Sequence, residues 1–212
     1  RSKKEEILVS LDKALNFIQY FVHPDGTIGG EYGSRNTEFY FPGGFEILAA
    51  HSPVAESISR RLLTSVIENK VPCINSTDVY NMVPIANSIV TASQLYSPNR
   101  EFSLLPYASA DNFVKYFEDF KILVKKKDRL YAIVGIAKGG VLKAYDTAKG
   151  ELIRSNVGIF GKIGNKVITS QSFYGDGLKV NIDGDIITIE GNIAVVNHSS
   201  LTPTKMIVFR AV

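Results

Sequence analysis

The chain has 212 residues, of which 45% are hydrophobic and 21% are charged, the composition of an ordinary globular protein. No apolar run approaches the ~20 residues of a transmembrane helix, so the sequence predicts no membrane span. The net charge is only +3, and this modest value argues against nucleic acid as a partner.

Charge is distributed unevenly along the chain. Residues 1–118 carry 10 basic and 13 acidic side chains, whereas residues 119–212 carry 14 basic and 8 acidic ones. The basic C-terminal part could face an acidic polymer, although surface lysines more often serve solubility. The three lysines at 125–127, followed by Asp128, are most simply interpreted as a solvated hairpin tip.

The first predicted element is a helix. Ser2 and Glu5 fit a capping box, and apolar residues then recur at helical spacing. Pro24 disfavours helical geometry in the residue before it, so we expect the helix to stop at Val22-His23.

Residues 24–44 are predicted to form one long loop. They contain six glycines and two prolines, and they show no clear periodicity. Aromatic side chains at positions 32, 39, 40 and 41 argue against disorder. Ordered loops of ~20 residues within compact domains are usually functional, so we expect functional residues in this segment.

Further helices are predicted before residue 100. Phe45–Ala50 is a short helical candidate, and Ser52 can cap a longer helix that has Pro53 at its first position. Residues 75–78 form another helix-start cluster. Because Pro84 interrupts the pattern that follows, we expect a short turn and then a helix from about Val83 to Tyr96.

From about residue 113 the pattern changes to that of strands. Short runs rich in β-branched and aromatic residues recur at roughly ten-residue spacing, which is typical of sandwiches and open barrels. Asp183-Gly184 between two such runs is a hairpin signal. The predicted strands cover residues 120–125, 130–137, 141–145, 157–163, 179–182, 186–189 and 205–210.

The predicted fold class is therefore α+β. A helical domain of residues 1–117, which contains the loop at 24–44, precedes an antiparallel β-sandwich domain of residues 118–212. No flexible linker separates the two, so we expect them to pack together.

The loop concentrates the candidate functional residues. Arg35 could hold a carboxylate by a bidentate fork, and Asn36 could add a neutral donor. Tyr32 or Tyr40 could transfer a proton if Arg35 lowered the pKa of its hydroxyl. The alternative is structural, with Arg35 pinning the loop through ion pairs and the aromatic rings filling a core.

Two glutamates of the loop suggest another chemistry. Glu31 and Glu38 could be the pair of carboxylates that glycoside hydrolysis requires, and this depends on their separation in the fold. The structural alternative applies here as well, since both glutamates could serve as ion-pair partners that fix the loop.

Metal and cofactor sites are not expected. The three histidines, His23, His51 and His198, share no ligand-like spacing. Residues 183–185 lack the remaining ligands of a calcium loop, and no phosphate-binding glycine motif is present. Cys73 is the only cysteine, so no intrachain disulfide can form, and we interpret it as a packed side chain rather than a nucleophile.

Two stretches resemble the heparinase II/III-like polysaccharide lyases, which join an α/α toroid to a C-terminal β-sandwich. The first, residues 23–46, reads HPDGTIGGEYGSRNTEFYFPGGFE and is similar to a turn and loop beside the substrate cleft of related toroids. The second, residues 130–146, reads LYAIVGIAKGGVLKAYD and looks like an early hairpin of the sandwich. The resemblance implies a partial toroid, with the helices of an upstream domain missing from this chain.

The activity that the resemblance implies is β-elimination on an acidic, uronic-acid-containing polysaccharide. A tyrosine would serve as base or acid, and the uronate carboxylate would be bound by a cation and an amide. The family's catalytic histidine has no clear counterpart in this sequence, and His23 is the only histidine in the loop region. Such an enzyme would be secreted, periplasmic or at the cell surface. The candidate catalytic residues are Tyr32, Tyr40, Arg35, His23 and Glu31, and the candidate substrate-binding residues are Asn36, Glu38 and Arg35.

Two other functions stay open on the sequence. One is a non-catalytic glycan-binding or surface-assembly module, in which exposed aromatic rings stack on sugars. The other is a glycoside hydrolase that uses Glu31 and Glu38. Formation of an unsaturated product would separate the lyase from both.

Overall fold

The computed structural model describes residues 3–33, 36, 38–171 and 178–196. Four α-helices precede a series of antiparallel strands, which confirms the α+β class. None of the helices in this part of the chain combines the length and the apolar character needed to cross a bilayer.

The chain divides into two compact units. The first comprises residues 1–136 and 140–157, and the second comprises residues 137–139 and 158–212. The first strands therefore belong to the same compact unit as the helices. The predicted domain boundary at 117/118 stays a prediction.

The helices all lie in the first unit. Their bounds are Lys3–Ile18 for α1, Pro42–Ala49 for α2, Pro53–Ile67 for α3 and Val79–Leu95 for α4. Short 3-10 turns lie between and after them, at Gln19–Phe21, Ile74–Ser76, Pro106–Ala108 and Ile136–Lys138.

The first predicted helix is confirmed, and its 3-10 extension ends at Phe21, just before Pro24. Its apolar stripe is only partly buried. Leu15 and Phe21 are buried, whereas Ile7 is 51% exposed. Ser2 of the predicted capping box lies outside the described residues.

Local signals explain α2 and α3. Ser52 caps α3 as predicted, accepting a hydrogen bond from the Ala55 amide at 3.4 Å, and Pro53 follows it. Helix α2 starts at Pro42, earlier than predicted, because proline suits the first turn of a helix. Gly43 lets α2 approach α4, since a Cβ at this position would lie 2.9 Å from the Ser88 carbonyl oxygen.

The predicted start of α4 near Val83 is wrong. The helix begins at Val79, because the Asp78 carboxylate caps it by accepting the amide of Tyr80 at 3.0 Å. Pro84 lies in the second turn, where it removes one backbone donor without ending the helix.

A five-stranded antiparallel meander completes the first unit, with its strands side by side in chain order. Its fully buried residues, which include Tyr131, Ile133 and Tyr145, form one core with Phe21 and Tyr32. The sheet thus packs on the end of α1 and on the loop that follows. The strands are β1 (Phe113–Phe117), β2 (Ile122–Lys127), β3 (Leu130–Gly135), β4 (Val141–Asp146) and β5 (Glu151–Asn156).

Several predicted strand features need correction. Strands β1 and β5 were not predicted, nor were the later strands at Lys166–Thr169 and Ala194–Val196. Strand β3 ends at Gly135 rather than at residue 137. The lysines at 125–127 belong to β2, and only Lys127, next to the hairpin turn at Asp128 and Arg129, is exposed. Lys126 is only 5% exposed and donates a hydrogen bond to the carbonyl oxygen of Asp128 at 3.1 Å.

The second unit is made of short antiparallel strands. A three-stranded sheet has the order Ala194–Val196, Lys166–Thr169, Phe160–Ile163. Lys179–Asp183 pairs with Ile186–Glu190 in a separate hairpin. The hairpin is confirmed, although Gly184-Asp185 form its turn rather than Asp183-Gly184. The predicted strand at 205–210 lies outside the described residues. The strands are β6 (Phe160–Ile163), β7 (Lys166–Thr169), β8 (Lys179–Asp183), β9 (Ile186–Glu190) and β10 (Ala194–Val196).

Candidate functional site

A tight turn after α1 presents His23. The turn is closed by hydrogen bonds from the His23 amide to the Thr27 carbonyl at 2.9 Å and from the Gly26 amide to the His23 carbonyl at 3.0 Å. Arg61 of α3 donates to the Pro24 carbonyl at 2.9 Å, which fixes the turn on the helix. Gly26 has a φ of +94°, a conformation that favours glycine.

A directed chain of hydrogen bonds runs through this turn. Thr27 donates its hydroxyl proton to the Asp25 carboxylate at 2.8 Å. The Thr27 oxygen is therefore the acceptor for His23 Nδ1, at 2.7 Å, so Nδ1 carries the imidazole proton. His23 Nε2 is left as an acceptor, and the Tyr32 hydroxyl donates to it at 2.7 Å.

Burial keeps the Tyr32–His23 pair uncharged. His23 is fully buried and Tyr32 is 5% exposed. Burial, together with the nearby charge of Lys143, lowers the pKa of His23 well below its usual value. Burial, with smaller contributions from Tyr145 and other neighbours, raises the pKa of Tyr32 well above its usual value. This is the opposite of the lowered pKa that was predicted for a proton-transferring tyrosine.

Tyr32 and His23 are held against the sheet. The ring of Tyr145 on β4 stacks on the imidazole of His23, with ring centroids 4.8 Å apart. Gly135 on β3 lies against the Tyr32 backbone, and a Cβ there would be 3.2 Å from the Tyr32 Cα. Glycine at this position therefore allows the close contact between loop and sheet.

A second set of charges lies beside the pair. Lys143 Nζ on β4 contacts the Glu38 carboxylate at 2.8 Å and the Glu31 carboxylate at 3.1 Å. Burial opposes the charge of Lys143, but hydrogen bonds to Glu38 and Glu31 raise its pKa. The ammonium group is buried, while the two glutamates are partly exposed, so this cluster marks the solvent edge of the site.

Lys143 was missed by the sequence interpretation. It alternates along β4 with Val141 and Tyr145, both of which are fully buried. A lysine in phase with two buried residues on a strand is a signal for a buried ion pair, because an unpaired buried ammonium is costly.

The structure brings some predicted site residues together and separates others. His23, Tyr32, Glu31 and Glu38 lie in one cluster with Lys143. Asn36 is exposed and has a positive φ of 52°. Arg35, like its neighbours Ser34 and Thr37, lies outside the described residues.

Tyr40 belongs to the helical core instead. Its hydroxyl lies 3.3 Å from Ser59 Oγ, and Ser59 donates to the Glu46 carboxylate at 2.5 Å. Burial raises the pKa of Tyr40. Arg100 contacts Glu46 at 2.6 Å and Glu56 at 3.3 Å, so this second polar cluster is an ionic network.

No group of three His, Cys, Asp or Glu side chains within the described ranges is arranged to hold a metal ion. No family model, curated protein or solved structure matches the chain. The functional interpretation therefore depends on what the Tyr32–His23 cluster can do chemically. A phenol hydrogen-bonded to an imidazole that is itself oriented by a second acceptor can act in proton transfer.

Proposed function

We propose that this chain is a carbohydrate-active protein of the polysaccharide lyase type, similar to the heparinase II/III-like lyases. It would cleave a uronic-acid-containing polysaccharide by β-elimination. The observation that carries the proposal is the 2.7 Å hydrogen bond from the Tyr32 hydroxyl to His23 Nε2. It pairs a phenol with a base whose second nitrogen is already engaged by Thr27.

The proposed step begins with proton transfer from Tyr32 to His23. The resulting phenolate removes the proton on the carbon next to the uronate carboxylate, the glycosidic C4–O bond breaks, and a C4–C5 double bond forms. The re-formed phenol then protonates the leaving oxygen, and His23 returns its proton to Tyr32. The hydrogen bonds from His23 to Thr27 and from Thr27 to Asp25 stabilise the transient imidazolium.

A cation is needed to make this transfer favourable. The raised pKa of Tyr32 and the lowered pKa of His23 both keep the proton on the phenol in the resting protein. We assign to Arg35 and Asn36 the binding of the substrate carboxylate, which neutralises its charge beside the site. A guanidinium close to Tyr32 would also lower the cost of forming the phenolate.

The architecture proposed for this function is the end of an α/α toroid followed by a β-sandwich. Its support is the order of four helices and then antiparallel sheets. The site residues His23 and Tyr32 come from the loop after the first helix, and Tyr145 and Lys143 come from the sheet.

The two alternatives make different predictions. Glu31 and Glu38 both contact the Lys143 ammonium, at 3.1 and 2.8 Å, a shared ion pair that supports a structural role for the two glutamates. A binding module would hold the polysaccharide without releasing any product.

The proposal is tested by incubating the protein with a panel of acidic and neutral polysaccharides and following ultraviolet absorbance from an unsaturated uronate. We expect signal on an acidic polymer and its loss in Arg35→Ala, with a nearly unchanged melting temperature. Arg129→Ala, which removes another arginine that is 61% exposed, is the matched control and should keep full signal.

Two results would contradict the lyase, and a third would contradict the role of Arg35. Cleavage without an unsaturated product would favour the glycoside hydrolase, and binding without cleavage would favour the binding module. A large fall in melting temperature for Arg35→Ala would instead give this arginine a structural role.

A further inference from the structure

A groove lies between the C-terminal half of α1 and strand β1. Its volume is about 690 Å³, within the range of ligand sites in proteins. None of the residues that line it belongs to the Tyr32–His23 chain or to the Lys143 cluster. It is therefore a feature that the proposed catalytic step does not use.

Aromatic rings form the floor of this groove. Phe17 stacks on Phe120, with centroids 4.6 Å apart and ring planes at 29°, and meets Phe117 edge to face at 4.8 Å. Phe120 is nevertheless 58% exposed. One aromatic ring thus rests on the core and keeps much of its surface available for stacking.

The rim of the groove carries cations and carboxamides. Lys13 and Lys115 line it, and the described lining residues include no acidic side chain. The carboxamides of Asn16 and Gln19 also line it. Gln19 donates to the side-chain oxygen of Asn16 at 3.2 Å, and Asn16 donates to the Asp12 carboxylate at 3.2 Å, so one carboxylate adjoins the amides without lining the groove. Ring face, amides and ammonium groups match the C–H face, the hydroxyls and the carboxylates of an acidic sugar.

We propose that this groove binds a segment of an anionic oligosaccharide built from uronic acid residues. One sugar ring stacks on Phe120, and the uronate carboxylates pair with Lys13 and Lys115. The inference deepens the proposed function and rests on its ligand class, but it concerns binding and does not require turnover.

The test is calorimetric titration of the full chain with hexasaccharides of galacturonate, mannuronate and glucuronate, and with maltohexaose as the neutral control. We expect binding of at least one acidic hexasaccharide. Phe120→Ala should weaken it about tenfold, as expected for the loss of one stacking contact. The double variant Lys13→Gln/Lys115→Gln should weaken it several-fold and reduce its salt dependence.

Matched controls separate the groove from the rest of the surface. Tyr80→Ala removes an aromatic ring that is 91% exposed, and Lys149→Gln removes an exposed lysine, so both should leave affinity unchanged. The lysine variants change only side chains that line the groove, so they keep the test valid if Phe120→Ala unfolds the protein.

Several results would overturn the groove as a sugar site. One is the absence of binding to any acidic hexasaccharide, and another is an unchanged affinity in the lysine double variant. A third is an equal affinity for polyglutamate, which would show that the interaction is only electrostatic. Self-association that Phe120→Ala abolishes would make the groove an interface between copies.

The outcomes also separate this inference from the lyase proposal. Tyr32→Phe should keep hexasaccharide binding while it loses product formation. Binding without product in the unmodified protein overturns the lyase alone, and product formation together with a hexasaccharide affinity that the groove variants leave unchanged overturns the groove alone.

Discussion

Tyr32 and Tyr40 belong to the same loop and are almost equally buried, yet their hydroxyl groups face different chemistry. The Tyr32 hydroxyl donates to the imidazole of His23 at 2.7 Å. The Tyr40 hydroxyl lies 3.3 Å from Ser59, whose own proton goes to Glu46. Tyr32 therefore meets a base that can hold a proton, whereas Tyr40 meets a serine oxygen that cannot.

The surroundings of the two tyrosines differ in the same way. The cluster around Tyr32 has an uncharged centre, with ion pairs only at its solvent edge. The cluster around Tyr40 is ionic at its centre, where Arg100 joins the buried carboxylates of Glu46 and Glu56. Burial alone thus does not distinguish a candidate catalytic tyrosine from a structural one. The two are distinguished by the group to which the tyrosine hydroxyl is hydrogen-bonded.

The largest expected effect is on turnover in Tyr32→Phe. Removing a positioned acid–base group costs roughly 10²–10⁴-fold in rate, so unsaturated product should fall by that factor. The unfolding free energy should fall by about 1–3 kcal/mol, because His23 Nε2 loses its donor in a buried site. Product formation and urea denaturation measure the two effects.

Tyr40→Phe is the matched control for that experiment. It should keep full turnover and lose only about 0.5–1.5 kcal/mol of stability, the value of one hydrogen bond. Equal losses of turnover in the two variants, at equal folded fraction, would abolish the distinction between the tyrosines.

The next largest effect concerns the ionic cluster. Arg100→Met leaves Glu46 buried with no cation, and breaking such a pair should lower the unfolding free energy by about 3–5 kcal/mol. Adding Glu46→Gln to this variant should recover part of the loss. Urea denaturation measures both variants, and Arg129→Ala, at an exposed ion pair, should differ little from the unmodified protein.

The same variant sharpens the comparison through its activity. Arg100→Met should retain turnover per folded molecule, because the cluster around Tyr40 is structural. A selective loss of turnover without a loss of stability would place Arg100 in the functional site.

Local signals were sufficient for part of the fold. The Ser52 cap with Pro53 and the Asp-Gly hairpin identified α3 and the β8–β9 pair. The start of α4 was missed because the cap at Asp78 outweighs the cost of Pro84 inside the helix. Strand β5 was missed because all its residues are exposed. Without a buried face, its sequence lacks the alternation of apolar and polar residues that predicts a strand.

The site was predictable as a segment but not as a set of contacts. The loop from His23 to Tyr40 was identified by its composition, whereas its partner Lys143 lies 105 residues beyond Glu38. Nothing local to Tyr32 or Tyr40 indicates whether its hydroxyl meets an imidazole or a serine. That choice is made by tertiary packing, in which the turn docks on α3 through Arg61.

The smallest effect is a pH dependence of stability that only the Tyr32 cluster should show. The pKa of His23 is lowered in the folded protein. As pH falls below about 6.5, His23 is therefore protonated in the unfolded chain but not in the folded one. Stability should therefore be highest above that pH. It should fall below it, by up to about 1.4 kcal/mol per pH unit, until the lowered pKa is reached.

Urea denaturation between about pH 7.5 and 5.5 measures this slope in a window above the usual titration of carboxyl groups. His23→Gln should flatten the curve, whereas His51→Gln, at an exposed histidine, should leave it unchanged. Tyr32→Phe should keep a slope, since burial of the imidazole is the first cause of the lowered pKa and does not depend on the phenol. An unmodified protein with the same slope as His23→Gln would mean that His23 accepts a proton in the folded state, and the contrast between an uncharged and an ionic cluster would then fail.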